Sequence, residues 1–503
     1  MKQLLFCIIF LTPSIFFSQT YTTPIRVNLD KSLRADRAPM MKLDRAGNVF
    51  IAWVSGPDGN GNGPISMAVS TDGGTTFTNE SVCADANCNA NFQRTAQFVI
   101  DTKGNIHLIW MGNRVNNQPD IWYVRSTNQG KTWTTPLSLC DADDSSKYAQ
   151  DFPSIACDSS DNLYASFLDS RETQRKTSMT PHLYFTRSTN GGMTWSVNKK
   201  ADIFAGGIGG TCECCAEKMA STPDGHLYIS FRSNINNLRD IWLARSYDKG
   251  ITFQPALKLS SGDWNINACP VTGPNIALDQ SEGAHIVWRD ARDDSSGRIH
   301  LYYIFVPNGS TMTPVNTAFD ASGSQSPNYP DIALYGKNHV IAYETYNYGM
   351  RYILTNDMST LVNNRPVTIN GSSSKEFSNV LFASDGTRYL CWQDDINDAG
   401  DIYFCKETSP LTAAGVKSES NVENFKIYPN PISTNTSSFT IERSGNGFAS
   451  VKIIDLLGRE IVSTNIEAGS LRMTITLPNL RPGTYNCTMT EGQITTTKIL
   501  IIE

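Results

Sequence analysis

Charge is sparse in this chain and nearly balanced. Charged residues make up 18% and the net charge at pH 7 is −6. The totals offer no basic face, so no nucleic-acid partner is expected. Histidine is scarce, with six scattered at 107, 182, 226, 285, 300 and 339. His107, His226 and His285 fall in apolar stretches and read as packing or lining residues rather than ligands. There is no H-E-x-x-H, no G-x-S-x-G nucleophile elbow and no glycine-rich phosphate loop. Past the first residues no apolar run reaches the ~20 residues of a membrane-spanning helix, so no transmembrane segment is expected. What is plentiful is glycine, 36 residues, and aromatic side chains, 10% of the total. That profile suits a soluble, turn-rich β protein. Its 503 residues exceed one ordinary domain.

The amino terminus sets the compartment. Met1-Lys2-Gln3 is a short basic start, Leu4 to Phe17 is mostly apolar, and Ser18-Gln19 offers a cleavage zone. Residues 1–19 thus read as a secretory signal peptide, too short for a membrane anchor. Of twelve cysteines, Cys7 lies inside this segment, which leaves eleven in an exported chain. Most should pair in an oxidising compartment, and the odd count leaves at least one over.

The middle of the chain repeats itself. A block of two short strands joined by a Gly/Asp turn and ending in an aromatic residue runs from Pro39 to Trp53. It returns six times, ending at Trp110, Phe167, Phe231, Trp288, Tyr343 and Trp392, at intervals of 49 to 64 residues. A third strand follows each copy, as in DIWYVRS or DIYFCKE, and then a less regular fourth. Such a unit cannot bury both faces alone, and packing blade on blade around an axis solves that. The fold class expected is all-β: a propeller of seven four-stranded repeats, with six blades as the alternative, followed by a small C-terminal β-sandwich. The last repeat stops after its third strand, and Pro24 to Lys31 has the pattern of the missing fourth.

The turn between third and fourth strands carries its own signature. It reads STDGGTTF from Ser70, STNQGKTW from Ser126, STNGGMTW from Ser188 and SYDKGITF from Ser246. This S-x-D/N-x-G-x-T-W/F pattern resembles the Asp-box, or BNR repeat, of the sialidase-like β-propellers, over residues 20–407. Asp72, Asn128, Asn190 and Asp248 would each tie their own turn, glycine taking the left-handed position and the aromatic packing between sheets. The resemblance implies a structural role at the periphery. Residues 408–424 are small and polar and read as a linker. Residues 425–503 open on Tyr428-Pro429-Asn430-Pro431 and continue with IDLLGREI and LRPGTY strands. They resemble the C-terminal sorting domain of the Bacteroidota type IX secretion system, which implies that machinery as partner, passage through the periplasm, removal of the tail, and a product released or held at the cell surface. An adhesive Ig-like module is the other reading of this sandwich.

The position two residues before each block should mark the axial mouth, where propellers place ligands. Around the ring it holds Arg37, Arg94, Asp151, Cys215, Thr272, Asn328 and Glu376. Sialidases clamp a carboxylate with three arginines and use a Tyr–Glu pair with an Asp acid/base. The resemblance lets Arg37, in Asp36-Arg37-Ala38-Pro39, stand for one arginine, Tyr329 for the nucleophile and Glu217 for its partner. Cys215 and Thr272 occupy the places of the other two arginines. Arg232, Arg289 and Arg292 follow second strands and are candidates for the same face.

Cys212, Cys214 and Cys215 open the fourth repeat and Cys269 the fifth, in matching register. Adjacent blades would gather these four sulfurs at the mouth. They read either as disulfides stapling two blades, as a thiolate site for copper or zinc, or as free thiols. Cys83 with Cys88, and Cys391 with Cys405, are expected as further disulfides. Three functions are therefore expected in competition: a module binding a glycan or other extracellular ligand at the mouth, an exo-alpha-sialidase-type glycoside hydrolase, and a thiolate metal-binding propeller.

Overall fold

Each repeat folds into one four-stranded antiparallel sheet. In the computed structural model the first holds Asp36–Leu43, Val49–Ser55, Ile65–Ser70 and Thr78–Cys83, hydrogen-bonded in chain order. Five more sheets follow the same order, starting at Gln97–Ile100, Gln150–Cys157, Lys218–Ser221, Asn275–Leu278 and Pro327–Tyr335. The seventh holds Lys375–Phe382, Arg388–Asp394 and Asp401–Lys406, and takes its fourth strand from Ile25–Arg26 at the other end of the chain. Ile25 pairs with Phe404 and Arg26 with Tyr403. The Asn28 amide then bridges Asp36 (2.7 Å) and Asp401 (2.9 Å), joining blades one and seven.

The structure describes residues 21–408 and 425–502, apart from 30–35, 56–62, 84–95, 114–118, 142–148, 173–179, 208, 271, 295, 313–314, 320–325, 346–348, 359–360, 362–366, 369–374, 396–399, 434–437, 444–446, 455–459, 479, 481–482 and 492–493. The signal-peptide reading and Arg94 fall outside these residues. So does Cys88, and with it the expected Cys83–Cys88 bond.

Both faces of a blade are covered, so second strands are apolar without alternation; Leu163–Asp169 is buried throughout. The aromatic that ends each block, from Trp53 to Trp392, is buried in all seven copies. Burying one such ring stabilises by roughly 1.5–3 kcal/mol. Each neighbouring pair of blades shares a core, and a further core joins the ends: Met41, Ile51 and Trp53 of blade one with Tyr389, Cys391 and Phe404 of blade seven.

Register overturns one expected disulfide. Cys391 pairs with Phe404, and Cys405 with Leu390. The two cysteines are thus offset by one residue and face opposite sides of the sheet. Cys391 packs towards blade one and Cys405 towards blade six, both as free thiols.

The Asp-box turns fold as their sequence dictates. Asp72 accepts hydrogen bonds from the Ser70 hydroxyl, the Thr75 and Thr76 N–H groups and the Thr76 hydroxyl. Asp248 does the same with Ser246 and Thr252, and Asn128 and Asn190 bind Thr132 and Thr194. Gly250 lies at φ +74°, and a Cβ there would sit 2.3 Å from the Phe185 ring of the preceding blade. The aromatics closing three of the boxes pack edge-on against a ring of the neighbouring blade, Phe77 on Phe404, Trp195 on Tyr123 and Phe253 on Phe185.

The chain separates into two units, Met1–Pro410 and Leu411–Glu503. The second pairs a three-stranded sheet (Phe425–Tyr428, Ser438–Arg443, Arg472–Thr476) with a four-stranded one (Glu460–Ile466, Ala449–Ile454, Gly483–Glu491, Ile494–Ile502) over a single apolar core. Cys487 is buried in that core as a free thiol.

Candidate ligand site at the axial mouth

The innermost strands of blades one, three, six and seven do not run straight into the mouth. Their pairing slips between Arg37 and Met40, Asp151 and Ser154, Asn328 and Asp331, and Glu376 and Asn379. At each slip one residue takes a left-handed conformation: Ala38 (φ 57°), Phe152 (φ 49°), Tyr329 (φ 42°) and Phe377 (φ 52°). For bulky side chains that conformation costs roughly 1–3 kcal/mol each, and such strain gathers at functional sites.

The bulges re-aim the side chains. Phe152, Tyr329 and Phe377 line a cavity of about 120 Å³ on the axis, with Glu217, Lys218 and Thr272 among its other walls. The expected mouth positions are corrected accordingly. In blades three and six it is the next residue that faces the axis, not Asp151 or Asn328, and in blade seven Phe377 lines the cavity. Arg37 does not line the cavity either. Asp151 turns back to accept from the Phe152 N–H at 3.0 Å, and the Glu376 side chain lies outside the described residues. Thr272, Glu217 and Tyr329 do meet there.

Glu217 is 1% exposed. Its Oε1 accepts from the Ser166 hydroxyl at 2.7 Å, and its Oε2 is buried without a partner. Burial pushes its pKa up to about 8, so it is protonated at neutral pH. Thr272 Oγ1, on the same cavity, is likewise buried and unpartnered. Lys218 donates to Gln97 Oε1 at 2.7 Å, and burial lowers its pKa to about 8. The Tyr329 and Phe377 rings meet at 4.5 Å between centroids. Beside them Arg289 donates to Asn328 Oδ1 at 2.5 Å, and Asn328 donates to Glu344 Oε1 at 2.9 Å.

Of the three candidate arginines, Arg232 and Arg292 are held by their own neighbours, and Arg289 is bonded to Asn328 beside the cavity. Arg232 is fully buried, its terminal nitrogens on the carbonyls of Arg239 and Arg289, its plane 5.1 Å over Trp264. Arg292 is held by Asp290 (2.6 Å) and Asp240 (3.2 Å). Arg289 is desolvated and faces Arg232, which together lower its pKa. Among the described residues no three-arginine clamp assembles with Arg37.

The four cysteines do come together. Cys214 and Cys269 form a disulfide between blades four and five. The Sγ atoms of Cys212 and Cys215 are 2.6 Å apart, and Cys212 lies 3.6 Å from Cys214. The thiol sulfurs of Cys212, Cys214 and Cys215 all fall within 4.8 Å of one another, close enough to share one ion if Cys214 were reduced. Arg239 donates to Cys212 Sγ at 3.2 Å and is held in place by Glu213 at 2.8 and 3.0 Å. Next to this cluster the backbones of the two blades touch: a Cβ on Gly273 would lie 1.6 Å from the Ala216 carbonyl oxygen.

Residues 47–279 match the family model of the BNR repeat-like domain, and residues 426–503 match that of the secretion system C-terminal sorting domain. The chain therefore carries a BNR, sialidase-like domain followed by a type IX sorting domain. That tail marks it for export to the cell surface or the medium, with removal of the tail. No described helix is long and apolar enough to cross a membrane. No curated protein matches the chain in sequence. Among solved structures it is similar to a protein of unknown function from Dyadobacter fermentans, at 11% identity and TM-score 0.47, over 77% of this chain and 98% of that one. It is also similar to an alpha-L-arabinanase of Penicillium chrysogenum, at 11% identity and TM-score 0.43, over 77% and 98%. PorZ of Porphyromonas gingivalis, a surface component of the type IX secretion system, aligns at 13% identity and TM-score 0.42 over 92% of this chain and 59% of its own.

Proposed function

We propose that the exported propeller binds a glycan at its axial mouth. The observation that carries this reading is the set of three buried, unpartnered polar atoms, Glu217 Oε2, Thr272 Oγ1 and Ser378 Oγ, on one cavity rimmed by Tyr329 and Phe377. Leaving a buried polar group unpaired costs roughly 1–3 kcal/mol, which a ligand hydroxyl would offset. Protonated Glu217 donates one hydrogen bond, Thr272 both donates and accepts, and the aromatic rim covers an apolar sugar face. At about 120 Å³ the cavity is smaller than the ~300 Å³ of a site enclosing a whole small molecule. It takes one end of the ligand, a hydroxyl or hydroxymethyl group, while the rest lies across the rim. A glycan array probed with the full chain and with Thr272→Val tests this. Selective binding that the valine variant loses supports it, and a blank array from folded protein sinks it.

A second reading has its own observation. A carboxyl group with a pKa near 8, lining a cavity with a tyrosine, suits a general acid of glycoside hydrolysis. The exo-alpha-sialidase form of this reading rests on Arg37, Tyr329 and Glu217, and it lacks its arginine clamp among the described residues. Turnover of aryl glycosides, a sialoside included, that falls at least ~100-fold in Glu217→Gln would establish the enzyme. Equal rates in the two proteins would discard it.

A further inference from the structure

The cysteine cluster is more than a staple. The disulfide Cys214–Cys269 reaches the surface at Cys269, while Cys212 and Cys215 are buried beneath it. Cys212-Glu213-Cys214-Cys215 is itself a C-x-x-C sequence whose outer sulfurs are in contact at 2.6 Å. Cys212 also faces the disulfide, 3.6 Å from its Cys214 sulfur. We infer that these four cysteines form a thiol–disulfide relay, in which one disulfide passes between the interblade pair Cys214–Cys269 and the buried pair Cys212–Cys215.

The step balances without an outside oxidant. The Cys212 thiolate attacks Cys214 Sγ; the Cys212–Cys214 bond forms, the Cys214–Cys269 bond breaks, and Cys269 leaves as a thiolate at the surface, where water protonates it. Cys215 then gives up its proton and attacks Cys212 Sγ, forming Cys212–Cys215 and releasing Cys214 as the second thiol. Two electrons move from the buried pair to the interblade pair, and two thiol protons are released and regained.

The surroundings assign the roles. Burial opposes ionisation of Cys212. The Cys215 thiol, the Cys214 N–H and the guanidinium groups of Arg232 and Arg239 outweigh it and hold its pKa below the ordinary thiol value. Glu213 and Asn234 fix this arrangement, Glu213 gripping Arg239 and Asn234 donating to Glu213 at 2.9 Å. Cys215 is pushed well above the ordinary value by burial first and then by Cys212, which suits a resolving thiol. The same guanidinium beside Cys212 disfavours a metal cation there, and Cys214 is already bonded to Cys269. A soft-metal site for copper or zinc is thus the competing outcome.

The test uses the full chain in two variants, desalted of all reductant and treated with excess iodoacetamide under native conditions. Peptide mapping then reads which cysteines are alkylated. In Cys215→Ser the relay stops after its first step, so Cys212–Cys214 forms and Cys269 becomes alkylated. In Cys212→Ser the attacking thiolate is absent, and Cys269 stays protected; Cys212→Ala replaces it if the serine variant does not fold. At least ten-fold faster alkylation of Cys269 in Cys215→Ser than in the Cys212 variant is expected. Equal rates in the two, or none in either, overturn the relay. So does one zinc or copper ion per native chain held with all four thiols reduced.

Discussion

The Asp-box turns and the axial mouth put polar side chains to opposite uses. In the turns the Asp or Asn is surrounded by donors from its own loop: Asp72 accepts four hydrogen bonds, all from within Ser70 to Thr76. The motif recurs because each copy solves the same local problem. At the mouth Glu217, Thr272 and Ser378 each leave a buried oxygen without a partner, and the three share one cavity. Buried polar groups are nearly always paired. Three unsatisfied oxygens gathered on one cavity, beside the strained, bulged strands of other blades, point to a partner from outside the chain. Lone unpaired indole N–H groups, such as those of Trp133 and Trp195, occur in the scaffold too, so it is the convergence of unpaired oxygens on one cavity that marks the candidate site.

Four substitutions sharpen or break this contrast. The largest effect is expected where scaffold reaches the mouth itself. Gly273→Val forces a side chain into the Ala216 carbonyl of the neighbouring blade, a backbone contact that cannot swing aside. A destabilisation of more than about 3 kcal/mol is expected, seen as a lowered thermal midpoint or as loss of soluble protein. A normal midpoint would mean that blades four and five do not meet as closely as this.

Glu217→Gln comes second. The folded chain holds the Glu217 proton between the ordinary value of 4.5 and about 8, whereas the unfolded chain has released it. Stability from this group is therefore fully present below 4.5 and is lost as pH rises through about 8. The slope is at most about 1.4 kcal/mol per pH unit. Glutamine keeps the shape and carries no such proton, so wild type should lose stability relative to the variant between pH 5 and pH 8. Unfolding of both proteins in urea at the two pH values measures it. Parallel behaviour would place Glu217 in contact with water or with a cation.

Much of this architecture was legible in the sequence, and the reason is periodicity. A side chain that repeats at fixed spacing reports a repeated environment, so the seven buried aromatics and the four Asp-boxes announced the blades. The register of the mouth was not legible, because a β-bulge adds a residue to the backbone and leaves no trace in the apolar pattern. Its one signal is an aromatic residue before proline at the same position in two blades, Phe152-Pro153 and Tyr329-Pro330. The Cys391–Cys405 expectation failed for a related reason. Neighbouring strands were correctly assigned, but a one-residue offset decides which face each side chain takes. Family likeness points to Glu217 and Tyr329, which share one cavity, whereas at Arg232 the sequence shows a charge and not the carbonyls that hold it.

Tyr329→Ala is the third substitution. It removes half of the aromatic pair at the rim and touches no interblade core. Replacing a left-handed tyrosine with a smaller residue should leave the thermal midpoint within about 2 °C, since it relieves as well as removes contacts. Affinity for any glycan identified on the array should fall at least ~10-fold, about 1.4 kcal/mol. Unchanged affinity would move the ligand away from this rim, to the Arg289–Asn328–Glu344 side of the mouth.

The smallest effect is expected at the periphery, and it completes the contrast. Asp248→Ala deletes the acceptor for Ser246 Oγ, Thr252 N–H and Thr252 Oγ1. Three lost bonds to a carboxylate would be severe in a core, but this turn lies at the surface. Water replaces the lost acceptor, so the net cost should be only about 1 kcal/mol. Gly250 still holds the turn against Phe185, and Phe253 still packs there. The thermal midpoint should fall slightly, glycan binding should not change, and Cys269 alkylation should not change. If Asp248→Ala instead weakened ligand binding as strongly as Tyr329→Ala, the periphery would be communicating with the axis through blade four. The turns could then no longer be treated as scaffold independent of the site.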